Sequence, residues 1–375
     1  MRVKNRVANT SCLLVTYEIK ASAGKTIQEM ADDICIEQTV EVVKQLAQDK
    51  WIQENIIGRV EGISQTGDNI FSVIISYPDE ITAYQLPQLL SVLYGNISLK
   101  SGIKLIGIEF SDSFLSHFSG PGFGIDGLRR LLNVENRPLL ATALKPMGKT
   151  PEELAGLAYK LALGGIDIIK DDHGLVDHSF CPFKERVQCC LSAINKAEEE
   201  TGKRVLYFPN ITDTHEKLID HAERGKEMGV GGFLISPLIV GLDIMRYLAD
   251  NLGLPIMAHP ALMGTLFHGI STEIVLGDLM RLAGADMVIY PNYGGRFPFT
   301  EKICQETGYA LKKKMGGLKT AFPVPAGGID IKNIKSLKQF YGNDVVFLIG
   351  SSLYVCSSNL TASVKDCIQH LSAYC

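Results

Sequence analysis

Residues 164–173 read Gly-Gly-Ile-Asp-Ile-Ile-Lys-Asp-Asp-His, an apolar run that ends in a cation, two carboxylates and an imidazole. Isoleucines between a glycine pair and a polar cluster suit a strand buried on both faces, as in a parallel sheet. A lysine buried beside aspartates is costly unless the charges are paired or engaged with a metal, so Lys170, Asp171, Asp172 and His173 are read as a site. Asp172 and His173 could bind a divalent cation, whereas a protonated Lys170 cannot be a ligand. Conversion of its amine to a carbamate would remove the positive charge and supply an oxygen donor. Without that modification Lys170 would be an ion-pair partner, and the residues alone leave both open.

The elements around this cluster alternate between short apolar strands and amphipathic helices from about residue 136 onward. Strands are expected at 139–144, 166–170, 205–209, 232–236, 255–259, 286–290, 323–326 and 345–350. Helices are expected at 151–163, 183–200, 215–228, 242–251, 272–283 and 300–315. Thr150-Pro151 is an N-cap followed by proline at the first helical position, and several helix patterns end in glycine. Eight strand–helix units in about 240 residues have the count and length of a (β/α)8 TIM barrel. The competing open, doubly wound sheet lacks a Gly-x-Gly-x-x-Gly after its first strand. Residues 1 to about 115 give strand–helix–strand–strand–helix–strand, the order of a small ferredoxin-like α+β domain, with its first helix spanning 26–48. The expected organisation is therefore an N-terminal α+β domain at 1–117, a linker at 118–135 and a barrel at 136–375.

A barrel carries its active site at the C-terminal ends of the strands. The residues there are Lys145, Lys170, Asp172, His173, Asn210, Ser236, His259, Asn292, Arg296, Gly327, Gly328, Gly350, Ser351 and Ser352. Lys145 reads either as a salt-bridge partner of Asp171 or Asp172, or as a general base tuned by burial and metal charge. His259 reads as a core histidine or as a proton-transfer or phosphate-binding group. Gly327, Gly328, Gly350, Ser351 and Ser352 lie after strands seven and eight, where barrels commonly hold phosphate; tight turns are the other reading. The chain has 375 residues, 46% of them hydrophobic, and a net charge of −4 with no basic tract, which argues against a nucleic-acid partner. No apolar run reaches membrane-spanning length. Nine cysteines without a Cys-x-x-Cys pair suit reduced thiols in a cytoplasmic enzyme.

Three segments, Phe118–Gly124 (FSGPGFG), Arg137–Pro146 (RPLLATALKP) and Gly164–Asp172 (GGIDIIKDD), in this order and spacing, resemble the large subunit of RuBisCO. The chain resembles most the RuBisCO-like proteins, the non-carboxylating branch of that superfamily, along nearly its whole length. The resemblance implies a carbamylated Lys170, formed with CO2, and Asp172 as a metal ligand, with His173 where the family normally has a glutamate. It implies Mg2+, with Mn2+ or Zn2+ less easily excluded because imidazole suits them better. Lys145 then matches the lysine implicated in proton abstraction and His259 the strand-five histidine. Pro260 stands where carboxylases place a phosphate-binding arginine, and the strand-six histidine is replaced around Ile289 and Tyr290. Arg296, in a short glycine-rich loop, is the cation nearest to the position of the carboxylases' loop lysine. One phosphate site is kept through Gly328, Ser351 and Ser352. The resemblance thus implies a substrate with one phosphate and argues against ribulose-bisphosphate carboxylation. It further implies a homodimer without a small subunit, in which Glu37 and Asn96 of one chain complete the active site of the other. Within the branch, the Lys-Asp-Asp-His run resembles enzymes of acid-sugar catabolism. The expected reaction is formation of a metal-stabilised enediolate from a 3-oxo acid sugar such as 3-oxo-isoapionate 4-phosphate, with C–C cleavage by decarboxylation or by transcarboxylation and hydrolysis. The alternatives are a methionine-salvage enolase or isomerase on a methylthio-sugar phosphate, and a barrel that binds without catalysis.

Overall fold

A computed structural model describes residues 11–22, 24–42, 46–355 and 359–372. The chain divides into two units, the first comprising residues 1–118, 263–275 and 314–318 and the second the remainder.

The first unit is built on strands β1 (Cys12–Lys20), β2 (Arg59–Gly67), β3 (Ile70–Pro78) and β4 (Ile103–Glu109), ordered β2-β3-β1-β4 with every pairing antiparallel. Period-two patterning makes this a one-sided sheet: Leu13, Val15, Tyr17 and Ile19 of β1 are fully buried. The β2–β3 hairpin turns through Asn69 at φ +55°, a conformation asparagine tolerates better than most residues. The helix expected over 26–48 is shorter. It runs over Ile27–Glu37, started by a reciprocal capping box between Thr26 and Glu29. It stops where the Thr39 hydroxyl donates back to the Cys35 carbonyl at 2.6 Å and Glu41 takes φ +51°. Residues 43–45 lie outside the described set, and a separate helix, Lys50–Asn55, begins at the N-cap Asp49.

The second unit is the barrel. Its strands are β5 (Leu139–Leu144), β6 (Ile168–Asp171), β7 (Leu206–Phe208), β8 (Phe233–Ile235), β9 (Ile256–Ala258), β10 (Met287–Pro291), β11 (Phe322–Ala326) and β12 (Val346–Leu348). They run in the order β7-β6-β5-β12-β11-β10-β9-β8 with parallel pairing. A parallel bridge between Asn210 and Leu234 joins β7 to β8 and closes the ring. The helix expected at 272–283 is a π-helical turn, Ile274–Leu279, running into a short α-helical end, Met280–Leu282. Among the described residues no helix is long and apolar enough to cross a membrane.

Strand alternation decides which side chains enter the barrel. Leu139, Ala141, Ile168, Leu206, Phe208, Leu234, Met257, Met287, Ile289, Phe322, Val324, Val346 and Leu348 form one buried interior cluster. Ile125, Leu128 and Leu132 join that cluster. They belong to a helix, Gly124–Leu132, within the segment expected to be a linker. Asp286, itself buried, starts this helix by accepting the N–H groups of Phe123 and Gly124, both at 2.7 Å. Gly124 sits at φ +64°, and a side chain there would meet the Thr320 carbonyl at 2.7 Å. Next along the chain, Arg137 forms a two-pronged pair with Asp167 at 2.7 and 2.8 Å. The same carboxylate accepts the Leu140 N–H at the start of β5. Much of the FSGPGFG and RPLLATALKP segments therefore stabilises the N-terminal end of the barrel. Leu128→Ala is expected to cost about 3 kcal/mol, the usual scale for emptying a fully buried leucine site, read as a lower urea midpoint at unchanged m-value.

Candidate active site

The inward parity that buries Ile168 carries on to Lys170 and Asp172, and the parity of Leu139 and Ala141 carries on to Lys145. Lys145 and Asp172, from the ends of β5 and β6, meet in an ion pair of 2.7 Å. Asp172 is the partner, resolving the choice left open between the two aspartates. Burial alone would raise the Asp172 carboxyl, but Lys145, the Gly174 N–H at 3.1 Å and Lys170 outweigh it and hold it below the usual carboxylate range. Lys170 is buried, and its Nζ donates to the main-chain oxygen of Asp171 at 3.0 Å. Burial is the main reason its amine is pushed down to about 8; the carboxylate of Asp172 acts against this and Lys145 with it.

His173 lies just past the strand, with Nδ1 3.3 Å from Asp172 Oδ1. Its ring stacks on that of His259 at 4.3 Å between centroids and 8° between planes. Burial, then the positive charge of Lys170 and the neighbouring imidazole, push His259 down to about 2. Burial also lowers His173. The stacked pair is therefore neutral near pH 7. His259 Nδ1 accepts the Ala261 N–H at 3.2 Å, which assigns its ring proton to Nε2.

The remaining expected residues are placed less centrally. Arg296 is exposed, and its guanidinium lies 5.0 Å from the Phe297 ring centroid; its charge reaches His173. Gly327 and Gly328 both take left-handed φ, at +86° and +69°. A side chain on Gly328 would come within 2.9 Å of the Gly295 Cα, so the loops after β10 and β11 pack backbone to backbone. Gly350 precedes Ser351, which opens the short helix Ser351–Val355. Ser352 donates its hydroxyl proton to the Ile329 carbonyl at 2.6 Å, so only its backbone N–H is left to offer an anion. In the other unit, Glu37 and Asn96 are joined to each other at 3.3 Å, and Lys100 pairs with Glu37 at 2.9 Å. Lys100 first and Asn96 second hold the Glu37 carboxyl below its ordinary value.

Among the described residues no three His, Cys, Asp or Glu side chains cluster as a ready-made metal site. Asp172 and His173 could supply two donors, and a carbamylated Lys170 would be the third. The donor set fits a divalent cation when that lysine is carbamylated, and its lowered pKa favours the neutral amine that CO2 requires.

Sequence reasoning missed the polar network behind this cluster. Asp171 points outward and is completely buried. It accepts from Arg186 Nε at 3.0 Å, Tyr207 OH at 2.7 Å and the Asn210 N–H at 3.0 Å. The signal was present in the strand period: neighbours on a strand face opposite ways, so Asp171 cannot share the face of Lys170 and Asp172.

Comparison with known proteins agrees with this architecture. Residues 4–111 match the N-terminal domain of the ribulose bisphosphate carboxylase large chain, and residues 124–373 match its catalytic domain. The ribulose bisphosphate carboxylase-like protein 1 of Rhodopseudomonas palustris is 39% identical over 350 residues, covering 93% of this chain and 94% of that one. The 5-methylthioribulose-1-phosphate isomerase of Rhodospirillum rubrum is 36% identical over 354 residues, 94% of each chain. The crystal structure of a Rubisco-like protein from Rhodopseudomonas palustris superposes with a TM-score of 0.88 at 35% identity, covering 98% of this chain and 99% of that one. An α+β sheet domain, a closed eight-stranded barrel and these matches across both together identify the chain as a member of the ribulose bisphosphate carboxylase large chain family, among its RuBisCO-like proteins.

Proposed function

We propose that this protein enolises a singly phosphorylated ketose by moving a proton at the carbon beside its carbonyl. The observation that carries the reading is the junction at the ends of β5 and β6, where Lys145 and Asp172 meet at 2.7 Å beside buried Lys170. Carbamylated Lys170, Asp172 and His173 would hold the cation, Mg2+ by family expectation. When bound, it supplies a Lewis acid for the carbonyl oxygen on which negative charge develops.

The chain's own groups then divide the work. Lys145, as the free amine, takes the proton from the substrate carbon and returns it from the resulting ammonium, and Asp172 at 2.7 Å positions the side chain. His259, neutral with its proton on Nε2, donates a hydrogen bond toward a substrate oxygen without adding charge. Arg296 and the backbone of Gly327, Gly328, Gly350, Ser351 and Ser352 take the anionic end of the substrate. Glu37 and Asn96 would be supplied by a second copy of the chain in a homodimer.

For the substrate, the isomerase relative that matches along 94% of both chains supports a methylthio-ketose phosphate. Enolase relatives support the same class, among them the 2,3-diketo-5-methylthiopentyl-1-phosphate enolase of Geobacillus thermodenitrificans at 35% identity. His173 favours a second reading, the 3-oxo acid sugar phosphate with C–C cleavage, because an imidazole stands where the family's usual ligand is a glutamate. Incubation with 5-methylthioribulose 1-phosphate and, separately, with 3-oxo-isoapionate 4-phosphate in D2O containing Mg2+ and bicarbonate tests both by NMR. Metal-dependent deuterium entry beside the carbonyl of either is expected. An isomeric phosphate marks the first reading, while CO2, or glycolate with phosphoglycerate, marks the second. No exchange and no product from either compound refutes the enolising reading.

A further inference from the structure

We propose that Asp171, Tyr207 and Asn210 form a clamp that positions the residue 170–175 segment, so that Asp171 is a positioning residue and not a member of the ligand set. Three donors converge on its carboxylate from three directions. Arg186 comes from the helix Phe183–Thr201, Tyr207 from β7, and the backbone N–H of Asn210 from just beyond β7. A buried carboxylate needs donors in place of water, and here a guanidinium, a phenol and an amide supply them. Burial first and Asp171 second raise the Tyr207 phenol well above its ordinary value, so it remains a donor.

Asn210 extends the clamp to the loop. Its Nδ2 donates to the carbonyls of His173 at 2.9 Å and Leu175 at 3.2 Å, and its Oδ1 accepts the Thr212 N–H at 3.1 Å. Its side chain, itself buried, is thus used on both ends. Lys170 is tied at the other side, through its Nζ to the Asp171 carbonyl. Each residue that would face the cation is therefore tied within two residues to this network: Lys170 and Asp172 are the chain neighbours of Asp171, and the His173 carbonyl is held by Asn210. Such outer contacts typically set ligand affinity over about 10- to 100-fold. The inference rests on Lys170, Asp172 and His173 being the ligand set.

The test uses the full-length protein and two substitutions. Tyr207→Phe removes one donor while keeping the ring packed; Asn210→Ser removes the link to the His173 and Leu175 carbonyls. Mn2+ affinity in bicarbonate is measured by calorimetry, and amide exchange of residues 168–176 by mass spectrometry without metal. Folding is monitored by circular dichroism and by exchange elsewhere in the chain. The expected result is a Kd for Mn2+ raised about tenfold and faster exchange confined to 168–176, in a variant whose remaining amides exchange as in wild type. Either variant folding normally with wild-type Kd and wild-type exchange overturns the clamp. Should Asn210→Ser unfold, Tyr207→Phe alone decides. If wild-type protein takes up no Mn2+, the ligand reading falls, and the clamp is judged on exchange of 168–176 alone.

Discussion

Lys170→Met is expected to give a folded protein that neither takes up a carbamate nor binds Mg2+ or Mn2+ tightly, with turnover lower by roughly a thousandfold or more. The magnitude follows from losing the ligand that would hold the cation against the developing charge. Folding should survive because the lysine contributes little to stability. Its amine is buried, its pKa is pushed down to about 8, and its hydrogen bond is to the adjacent Asp171 carbonyl. A group whose burial lowers its own pKa is held charged at a cost, and a methionine of similar length removes that cost. The checks are 13C NMR with labelled bicarbonate for the carbamate, calorimetry for metal and a thermal melt for the fold. A variant that keeps wild-type metal affinity would exclude Lys170 as a ligand.

Lys145→Met should separate chemistry from binding. The loss of the proton-transfer group is expected to lower kcat by about 10²- to 10⁴-fold, with KM changed little. Metal affinity should not fall as it does in Lys170→Met. Lys145 neutralises Asp172 at 2.7 Å, so the substitution leaves a carboxylate with one counter-charge fewer. A cation then competes with nothing for that oxygen, and the Kd for Mn2+ should stay level or tighten. Deuterium exchange into substrate and calorimetry on the same preparation read the two effects. Weakened metal binding together with near-normal kcat would reverse the roles assigned to the two lysines.

Much of the barrel was legible because its strands are short, apolar and regularly spaced. The strand 139–144 and the helices 151–163 and 215–228 form with the expected bounds, since proline and threonine at one start and glycine at the ends leave little choice. The departures occur where tertiary contacts outweigh local pattern. Residues 124–132 carry a short glycine-rich pattern that reads as a linker, yet Asp286 from the start of β10 caps them into a helix. The helix expected to continue to residue 48 ends at Glu37, where a threonine hydroxyl takes the Cys35 carbonyl.

The candidate site divides along the same line. Residue types and positions at strand ends were enough to name Lys145, Lys170, Asp172, His173 and His259, because barrel topology and period two bring strand ends to one place. The three motifs FSGPGFG, RPLLATALKP and GGIDIIKDD, in order, carried the resemblance to the family. What they could not assign is pairing between elements distant in the chain. His173 stacks on His259, which lies 86 positions further along, and Lys145 reaches across to Asp172 at 2.7 Å. Asp171 turns to Arg186, Tyr207 and Asn210, and Ser352 turns its hydroxyl proton to Ile329. A linear sequence records which groups are available and on which face of a strand each stands. Which partner satisfies a buried charge depends on tertiary packing: the adjacent strands β5, β6 and β7 and the Phe183–Thr201 helix surround one carboxylate with protein donors and leave its neighbour open to chemistry.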